Sequence, residues 1–446
     1  MSAAFPDTPP AEAPVPRRVL PLIVIAQLLG VSSWFAVNAV MPDLQALHGW
    51  PPETVGTLTA ALQLGFIGGT LVFALLAVSD RLPVRAVFLA CTLAAAGCTL
   101  AAAHSAADPA GYDALLWWRV LTGISLAGIY PVGMKLAALW FPRGLGAALG
   151  WLLGALVLGS ASPHALAALV QGSASSDALV ALVQGSASPD ALAATTQGVA
   201  AGAGGWTAVF HTVAALTALG GLLVALGVPT PRHHAPRGSG LQWRALASLW
   251  TDRRVRASTL GYYGHMWELY TMWVLVPVVL ATRLPVGATL SWAAFATLGA
   301  GALGCVLGGQ AARRVGSARV AATLLAGSGA CCLAAPWMLD APLPLFAAWL
   351  LLWGFTVAGD SPQFSALTAS NAPVQAVGSV LTLSNSIGFA ISAASIALFV
   401  QLSQQLPLAT LLPWLGLGPL LGLWALRPLL RPPSPPPSPP PMRSAG

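Results

Sequence analysis

Charged residues are scarce in this 446-residue chain. Asp, Glu, Lys and Arg make up 7% of it, against about a quarter of an ordinary soluble domain, whereas hydrophobic residues make up 56%. This balance excludes a soluble globular protein and predicts a chain that is largely buried in a lipid bilayer. The net charge of +7 does not indicate nucleic-acid binding, because the basic residues are scattered between apolar runs and are not gathered on one face.

The sequence also lacks the short motifs of several enzyme classes. It contains no His-Glu-x-x-His, Gly-x-Ser-x-Gly or Gly-x-x-x-x-Gly-Lys sequence, so neither a hydrolase of those classes nor a nucleotide-driven pump is predicted. The five cysteines lie in apolar runs without zinc or disulfide spacing, and we interpret them as packing residues. We therefore expect no enzyme activity and no cofactor. No signal-peptide cleavage pattern follows the first sixteen residues, so we expect the first apolar run to be kept.

Twelve apolar runs are long enough to cross a hydrocarbon core of about 30 Å. The predicted spans cover about 19–41, 54–78, 84–104, 113–138, 144–168 and 206–228, and then about 258–282, 288–311, 318–339, 343–367, 374–401 and 407–427. With the N-terminus in the cytoplasm, every Lys and Arg except Arg119 and Arg283 falls on the cytoplasmic side. We therefore expect both termini in the cytoplasm and a multi-pass protein of the cell membrane, the inner one where the host has two.

These spans divide the chain into five segments. They are a disordered cytoplasmic N-terminus (1–18), a six-helix half (19–228), a cytoplasmic linker (229–257), a second six-helix half (258–427) and a proline-rich cytoplasmic tail (428–446). The linker carries Trp243, Leu246, Leu249 and Trp250 at helical spacing, which fits either an amphipathic surface helix or a loop.

Residues 159–197 contain three tandem copies of a thirteen-residue unit. The first copy completes the fifth predicted span. We interpret residues 172–204, which hold the other two copies, as an expansion of an outer loop, because three copies are few for a solenoid.

The two halves carry related sequences. Gly123 to Pro131 in the fourth span and Gly354 to Pro362 in the tenth share Gly, Ala-Gly and Pro, and the two copies are 231 residues apart. Because six spans separate them, the copies run in the same direction. A parallel repeat of this kind predicts a pseudo-twofold axis along the membrane normal, with a binding site between the halves.

Two motifs in the first half are similar to those of the major facilitator superfamily. Residues 76–85 read Leu-Ala-Val-Ser-Asp-Arg-Leu-Pro-Val-Arg and are similar to its gate motif, Gly-x-x-x-Asp-Arg-x-Gly-Arg-Arg/Lys, although Leu, Pro and Val replace motif residues. Arg119, Gly123 and Ala127 are similar to its Arg-x-x-x-Gly-x-x-x-Ala pattern. The second-half gate copy keeps both glycines but has Arg313 where an Asp is usual. The antiporter motif of the fifth span is not kept, because no Pro follows Gly154.

The resemblance covers all twelve spans. It implies an all-α membrane protein of twelve transmembrane helices, arranged in two six-helix halves related by a pseudo-twofold axis. It also implies a secondary active transporter that works by rocker-switch alternating access, with the first, fourth, seventh and tenth helices lining the cavity.

Three of those helices carry charges inside the predicted membrane: Arg119 on the fourth, Glu268 on the seventh and Asp360 on the tenth. Intramembrane ionisable groups are functional by default. Our hypothesis is that Glu268 takes up and releases a proton, with His265 one turn away, and that Arg119 binds an anionic group or favours ionised Glu268. A static Arg119 to Glu268 ion pair is the structural alternative.

One face of the seventh span carries Gly261, Gly264, His265, Glu268 and Met272, and the glycines are expected to leave room beside the carboxylate. His265 and Glu268 have a spacing that two metal ligands can use, but no further His or Cys cluster accompanies them, so no metal site is predicted.

The candidate site residues follow from these patterns. The predicted substrate-binding residues are Arg119, Tyr130, Asn38, Trp34, His265, Trp267 and Tyr270. The predicted proton-coupling residues are Glu268 and His265. The predicted gating residues are Asp80, Arg81, Arg85, Arg313 and Asp360, the last expected to pair with Arg313, Arg314 or Arg319 when the inner side closes.

The residues leave the substrate open. Arg119 with aromatic neighbours favours a small organic or inorganic anion, coupled to protons. The alternative is a proton-coupled exporter of neutral or cationic amphiphiles balanced by Glu268 and Asp360. A non-transporting sensor and a membrane-embedded enzyme are less favoured. The expected partners are a small-molecule substrate, protons and the lipid bilayer, with no nucleic acid, and we expect the monomer to be functional.

Overall fold

The computed structural model describes residues 15–141, 145–183, 205–230, 247–373 and 376–430, and these ranges are helical almost throughout. Their long helical segments, α1 to α6, are Val19–His48, Thr54–Leu75, Val84–Ser105, Pro109–Trp140, Leu145–Val183 and Gly205–Gly227. Segments α7 to α12 are Arg253–Ala281, Ala288–Val315, Ser317–Met338, Leu343–Asn371, Val377–Leu402 and Leu408–Leu430. The predicted all-α membrane fold of two six-helix halves is confirmed.

Eleven of these segments within the described ranges are long and apolar enough to cross a membrane, and α7 is the exception. Its 29 residues span about 44 Å at 1.5 Å per residue, so it is long enough. Most of its residues are buried, including polar ones such as His265, Glu268 and Thr271. Because α7 is surrounded by protein, its surface does not need to be compatible with lipid.

The first segment is not a continuous α-helix. It consists of Val19–Gly30 and Ala36–His48, joined through a short 3₁₀ helix at Ser32–Phe35. A change from α to 3₁₀ hydrogen bonding leaves some carbonyl groups without the usual helical partner. These carbonyls need donors from elsewhere, because no water is present in the bilayer core to satisfy them.

Segments α4 and α10 are each broken at the position that the internal repeat marks. In α4 the helices are Tyr112–Ala127 and Tyr130–Trp140, and in α10 they are Leu343–Gly359 and Ser361–Asn371. A proline lies in the first turn after each break, where its missing N–H would be unbonded anyway. Ile129 and Asp360 stand at equivalent positions in the two breaks.

The repeated glycine also has the same role in both halves. A Cβ atom on Gly123 would overlap the carbonyl of Leu62 in α2, and one on Gly354 would overlap the carbonyl of Thr297 in α8. Each glycine therefore lets one helix approach the backbone of its neighbour, and the repeat seen in the sequence records this shared packing.

The fifth segment is longer than predicted. It runs for 39 residues to Val183 and so includes residues 172–183, which were expected in an outer loop. The rest of that expected loop, residues 184–204, lies outside the described residues, as do 1–14, 231–246 and 431–446. In the linker, Leu249 is buried and Trp250 is exposed on a short helix at Ser248–Thr251, while Trp243 and Leu246 lie outside the described residues.

The two halves touch near both ends of the helix bundle. Towards the end that holds His48 and Ala281, here called the His48 end, Ser291 of α8 donates to Gln171 of α5 at 3.0 Å. Towards the opposite end, Gly150 of α5 lies against Gly309 of α8. Between α2 and α11, Gln63 donates to Ser392 at 3.2 Å. The two halves are therefore in contact at both ends of the bundle and between them.

Candidate substrate site and buried charges

A small cavity lies between the two halves. It has about 20 Å³ for the centres of water molecules, which is room for roughly one. Its lining residues are Tyr130, Leu153, Leu156, Val157, Tyr262, Met266, Leu269, Tyr270, Trp273, Cys305, Ala358, Ser361 and Phe389. They come from α4 and α5 in the first half and from α7, α8, α10 and α11 in the second. Five of them are aromatic, and none is basic.

An aromatic cluster, formed by Trp34, Phe35, Tyr270 and Trp273, joins the halves beside this cavity. The Trp34 and Tyr270 rings are stacked, with centroids 5.7 Å apart and an interplanar angle of 15°. The ring centroid of Phe35 lies 6.3 Å from that of Tyr270 and 5.6 Å from that of Trp273. The side chains of Trp34 and Phe35 are fully buried, and both residues belong to the 3₁₀ helix of α1. The structure thus brings the predicted residues Trp34, Tyr130 and Tyr270 to the centre of the molecule.

The face of α7 that lines the cavity carries Tyr262, Met266, Leu269 and Trp273, at spacings of four, three and four residues. The glycine face proposed from the sequence lies elsewhere. A Cβ on Gly264 would overlap the carbonyl of Gly418, so this glycine admits α12. The expectation that the glycines make room beside the carboxylate is wrong, because the room is taken by a neighbouring helix.

Glu268 is fully buried within the second half. Its Oε1 accepts hydrogen bonds from Trp353 Nε1 at 2.6 Å and from Cys332 Sγ at 3.2 Å, and its Oε2 accepts one from Ser328 Oγ at 2.8 Å. The donors lie on α9 and α10, so the carboxylate links three helices of one half. Polar donors replace the water that the carboxylate loses on burial.

Arg119 is also buried, but its partners are backbone carbonyls. Its Nη1 donates to the carbonyl oxygen of Ser33 at 3.1 Å, and its Nη2 donates to that of Trp34 at 2.7 Å. The guanidinium therefore satisfies the carbonyls at the break in α1. The static Arg119 to Glu268 ion pair, which the sequence left as an alternative, is not formed, because each group is bound within its own half. Arg119 is also absent from the cavity lining.

His265 and Asp360 form the closest contact between charged or chargeable side chains of α7 and α10. His265 Nδ1 lies 2.8 Å from Asp360 Oδ1, and both side chains are buried. Within the described ranges, neither nitrogen of His265 and neither oxygen of Asp360 makes a hydrogen bond, so the two side chains are joined by this close contact alone. Met266 follows His265, Ser361 follows Asp360 and Ala358 lies two residues before it, and all three line the cavity, so the pair lies beside it. These two predicted residues are thus brought together.

The expected ion pair between Asp360 and a basic residue of the gate is not formed. Arg313, Arg314 and Arg319 are exposed, near the end of α8 and the start of α9. Asp360 is fully buried and contacts His265 instead. The break in α10 places the acid in the interior, beyond the reach of the exposed arginines.

Two further predicted binding residues face away from the cavity. Asn38 donates to Thr59 Oγ1 at 2.8 Å within the first half. Trp267 packs edge-on against Phe399 and donates to the carbonyl of Trp414 at 3.4 Å. Both side chains therefore connect helices within one half and do not reach the central space.

The remaining predicted gating residues lie at the end of the bundle opposite His48. Arg85 donates to Thr230 Oγ1 at 3.0 Å and to the carbonyl of Ala225, both after or at the end of α6. Asp80 and Arg81 belong to a short helix at Val78–Arg81; Arg81 is exposed, and the Asp80 side chain lies outside the described residues. Whether these residues act in gating stays a prediction.

Several residues of the site were missed from the sequence. Phe35, Tyr262, Trp273, Phe389 and Cys305 belong to the cavity or the aromatic cluster. A regular spacing of large side chains along α7 was available as a signal for the cavity face. The sequence analysis instead assigned the charged and glycine-rich face of the same helix to the cavity, although the side chains of that face pack within the second half. No sequence signal points to Phe389, because its place depends on the approach of α11 to α1 and α2.

The fold of this chain is similar to those of solved membrane transporters. Among solved structures, the human organic anion transporter TETRAN is similar at a TM-score of 0.65, with 17% identity, over 93% of this chain and 100% of that one. The fucose:proton symporter FucP of E. coli is similar at 0.58, with 16% identity, over 92% and 97%. These likenesses describe the fold, and no curated protein sequence matches the chain. The sequence model of the Major Facilitator Superfamily matches residues 23–397, and the chain therefore belongs to that superfamily as a multi-pass secondary transporter.

Proposed function

We propose that the protein moves a neutral or cationic organic solute by rocker-switch alternating access, driven by protons that bind at the His265 and Asp360 pair. The observation that carries this proposal is the composition of the central cavity. Both halves line it, five aromatic rings face it, no basic side chain does, and a buried carboxylate lies beside it.

This composition supports a neutral or cationic solute over the anion favoured by the sequence. Aromatic faces attract cations and bind apolar groups, and a nearby carboxylate balances a positive charge. The lining offers neutral donors, among them tyrosine hydroxyls and the Trp273 N–H, but a full anionic charge would also need a cation at the cavity to balance it. Arg119 was the expected cation, but its two terminal nitrogens are bound to the carbonyls of Ser33 and Trp34.

The His265 and Asp360 pair supports proton coupling for three reasons. Both side chains can bind a proton, they are in contact at 2.8 Å, and each retains an unbonded polar atom within the described part of the chain. A buried carboxylate in a membrane requires a partner or a proton, so a change in its surroundings favours proton exchange. Since the pair lies beside the cavity, a solute that enters there changes those surroundings.

Glu268 is the less suitable coupling residue of the two acids. Both of its oxygens accept hydrogen bonds from donors on α9 and α10, and none of its partners belongs to the first half. Its role as a proton carrier stays a prediction of the sequence, to be tested beside Asp360.

The substrate class can be tested by a thermal-shift screen of the purified protein. The probes are aromatic amines, neutral aromatic compounds and aromatic carboxylates of matched size, each at two pH values. A ligand that binds only the folded state raises the apparent stability. We expect amines or neutral compounds to stabilise the protein. Stabilisation by carboxylates alone would contradict the proposed substrate class.

Proton coupling can then be tested by uptake of the best ligand into proteoliposomes with an imposed pH gradient. Asp360→Asn should reduce gradient-driven accumulation to the level of empty liposomes. Asp340→Asn makes the same chemical change at an exposed position and should transport like the wild type. Gradient-driven accumulation that survives in Asp360→Asn, and is lost in Glu268→Gln, would transfer the coupling role to Glu268.

We also propose that the protein lies in the cell membrane with both termini in the cytoplasm. The basic residues support this orientation, because the ends of the bundle differ in charge. Arg81, Arg85, Arg313, Arg314 and Arg319 all lie at the end opposite His48. Protease access to a tag on the C-terminus, in intact cells and in inverted vesicles, measures the orientation. Cleavage in intact cells would reverse it.

A further inference from the structure

We propose that Arg119 is a positioning residue for a gate, in which Trp34 and Phe35 of α1 close the cavity against Tyr270 and Trp273 of α7. The proposal rests on the alternating-access cycle proposed above, but not on the substrate or on proton coupling. It assigns to the buried cation of the first half a task that involves neither substrate nor proton.

The break in α1 is the first step of the argument. Residues Ser32–Phe35 form a 3₁₀ helix, and the carbonyls of Ser33 and Trp34 accept hydrogen bonds from the two terminal nitrogens of Arg119, at 3.1 and 2.7 Å. A planar guanidinium can hold two acceptors in a fixed geometry, which an ammonium group cannot. Without these donors, each of the two carbonyls in the membrane interior would lose a charge-assisted hydrogen bond, at a cost in free energy.

The second step is that little else holds this turn on the side that faces α7. On the other side of the turn, the hydroxyl groups of Ser32 and of Thr217 in α6 form a hydrogen bond at 3.2 Å. Within the described residues, the Ser33 hydroxyl and the Trp34 indole nitrogen have no hydrogen-bond partner. Trp34 also packs against Phe66, with ring centroids 5.1 Å apart, but the direction in which both rings leave the turn depends on the backbone that Arg119 binds.

The third step is the position of the rings. Tyr270 and Trp273 follow His265 by five and eight residues, so they lie about 8 to 12 Å nearer the Ala281 end of α7. The cavity beside His265 and Asp360 is thus covered by the aromatic cluster on the side of the His48 end. Opening that side requires the rings of α1 to separate from those of α7, because the stacked pair joins the two halves.

Cys305 provides a natural reporter of gate opening. Its side chain is buried and lines the cavity. The experiment measures the rate at which a membrane-impermeant thiol reagent labels Cys305 when it is added to the His48 side of sealed, oriented vesicles. Peptide mass spectrometry identifies the labelled residue, and Cys305→Ala gives the background.

We expect Arg119→Gln to raise the labelling rate from that side by about tenfold, the change in the closed-to-open ratio expected for loss of a charge-assisted hydrogen bond. Arg119→Lys should give an intermediate rate, because a lysine can reach a carbonyl without the fork. The double variant Trp34→Leu with Phe35→Leu should raise labelling to a similar extent while Arg119 remains. Thr122→Val, on the same helix and equally buried, should label at the wild-type rate.

A wild-type labelling rate in Arg119→Gln would overturn the positioning role, and a wild-type rate in the double variant would overturn the gate. An equal rise in Thr122→Val would show that general loosening of the helix, and not Arg119, controls access. If Arg119→Gln does not fold, the Lys variant and the double variant carry the same test. Failure of proton coupling leaves these rates unchanged, whereas a wild-type Cys305 that is labelled from neither side would refute alternating access itself.

Discussion

Arg119 and Glu268 are both ionisable, both buried and both near the middle of a helical bundle, yet the two halves accommodate them differently. The first half breaks α1 and supplies backbone carbonyls to the cation. The second half keeps α7 continuous and supplies three side-chain donors to the acid. A charged group can therefore be buried without an opposite charge, provided that enough oriented dipoles surround it.

A second difference lies at the breaks that the halves share. The repeat places Ile129 in α4 where Asp360 stands in α10. Both positions have right-handed helical backbone angles and are followed two residues later by a proline, but only the second half puts an acid there and a histidine beside it. The scaffold is thus common to both halves, whereas the titratable pair is confined to one.

The strongest test of this difference between the halves is to place an acid at the break of the first half. Ile129→Asp puts a carboxylate at a fully buried position that has no counterpart of His265, so we expect folding to be lost, at a cost of about 3 to 5 kcal/mol for an uncompensated buried charge. Gel-filtration yield and thermal unfolding measure this effect. Ile129→Leu, which keeps an apolar side chain of the same volume, should remain near the wild type; a well-folded Ile129→Asp would show that the break tolerates acids in either half.

Removal of Glu268 should have the next largest effect. Glu268→Ala leaves the Trp353 N–H without its acceptor and Ser328 with only the carbonyl of Leu325, so we expect a loss of about 2 to 4 kcal/mol in the free energy of unfolding. Thermal unfolding in detergent is the measurement, with the exposed Glu53→Ala as control. An unchanged melting temperature would mean that the three hydrogen bonds do not hold α7 to α9 and α10.

The repeated glycines allow a test of whether the two halves pack their helices in the same way. A methyl group on Gly123 or Gly354 meets the backbone of a neighbouring helix, so Gly123→Ala and Gly354→Ala should each cost about 1 to 3 kcal/mol. Gly97 has open space at the same position, and Gly97→Ala should be neutral or slightly stabilising. Comparable losses at the two repeated sites, measured by thermal unfolding, are expected; a loss at only one would limit the shared packing to that half.

The smallest effect concerns one donor of Glu268. Cys332→Ala removes the weakest of the three hydrogen bonds and should lower stability by about 1 kcal/mol, whereas Cys332→Ser keeps a donor and should lower it less. Differential scanning fluorimetry compares the two. Equal losses would indicate that the thiol contributes through packing and not as a donor.

The architecture was predictable because it depends on properties that are local in the sequence. Hydrophobic length determines where a helix crosses the membrane, so the predicted spans lie within a few residues of the helices. Within the described residues, α1 runs to His48 instead of ending at about 41, and the largest difference is the C-terminal end of α5, where Ala-rich residues 172–183 continue the helix. Alanine favours the helix that has already begun, and a loop prediction based on repetition did not account for this.

The partners of the buried charges were not predictable in the same way. The opposite charges of Glu268 and Arg119 suggested that the two residues could pair. In the structure each one hydrogen-bonds to neutral groups of its own half, among them Trp353 for Glu268 and the carbonyl of Ser33 for Arg119. The rotation of each helix about its axis decides this, and it depends on which glycines admit a neighbour, as Gly264 admits α12. The pairing of His265 with Asp360 was missed for the same reason.

The extra length of α5 limits where its thirteen-residue unit can be duplicated. Thirteen residues correspond to about 3.6 helical turns, so an added copy turns the equivalent side chains about 220° away from the original face. Within the membrane such an insertion would rotate Gly159 off the backbone of Leu28, against which it packs. At Gly172, where the apolar span ends, a Cβ atom would meet open space, in contrast to Gly159. Evolution could therefore lengthen this helix by copying at its end, while the packed part kept its phase.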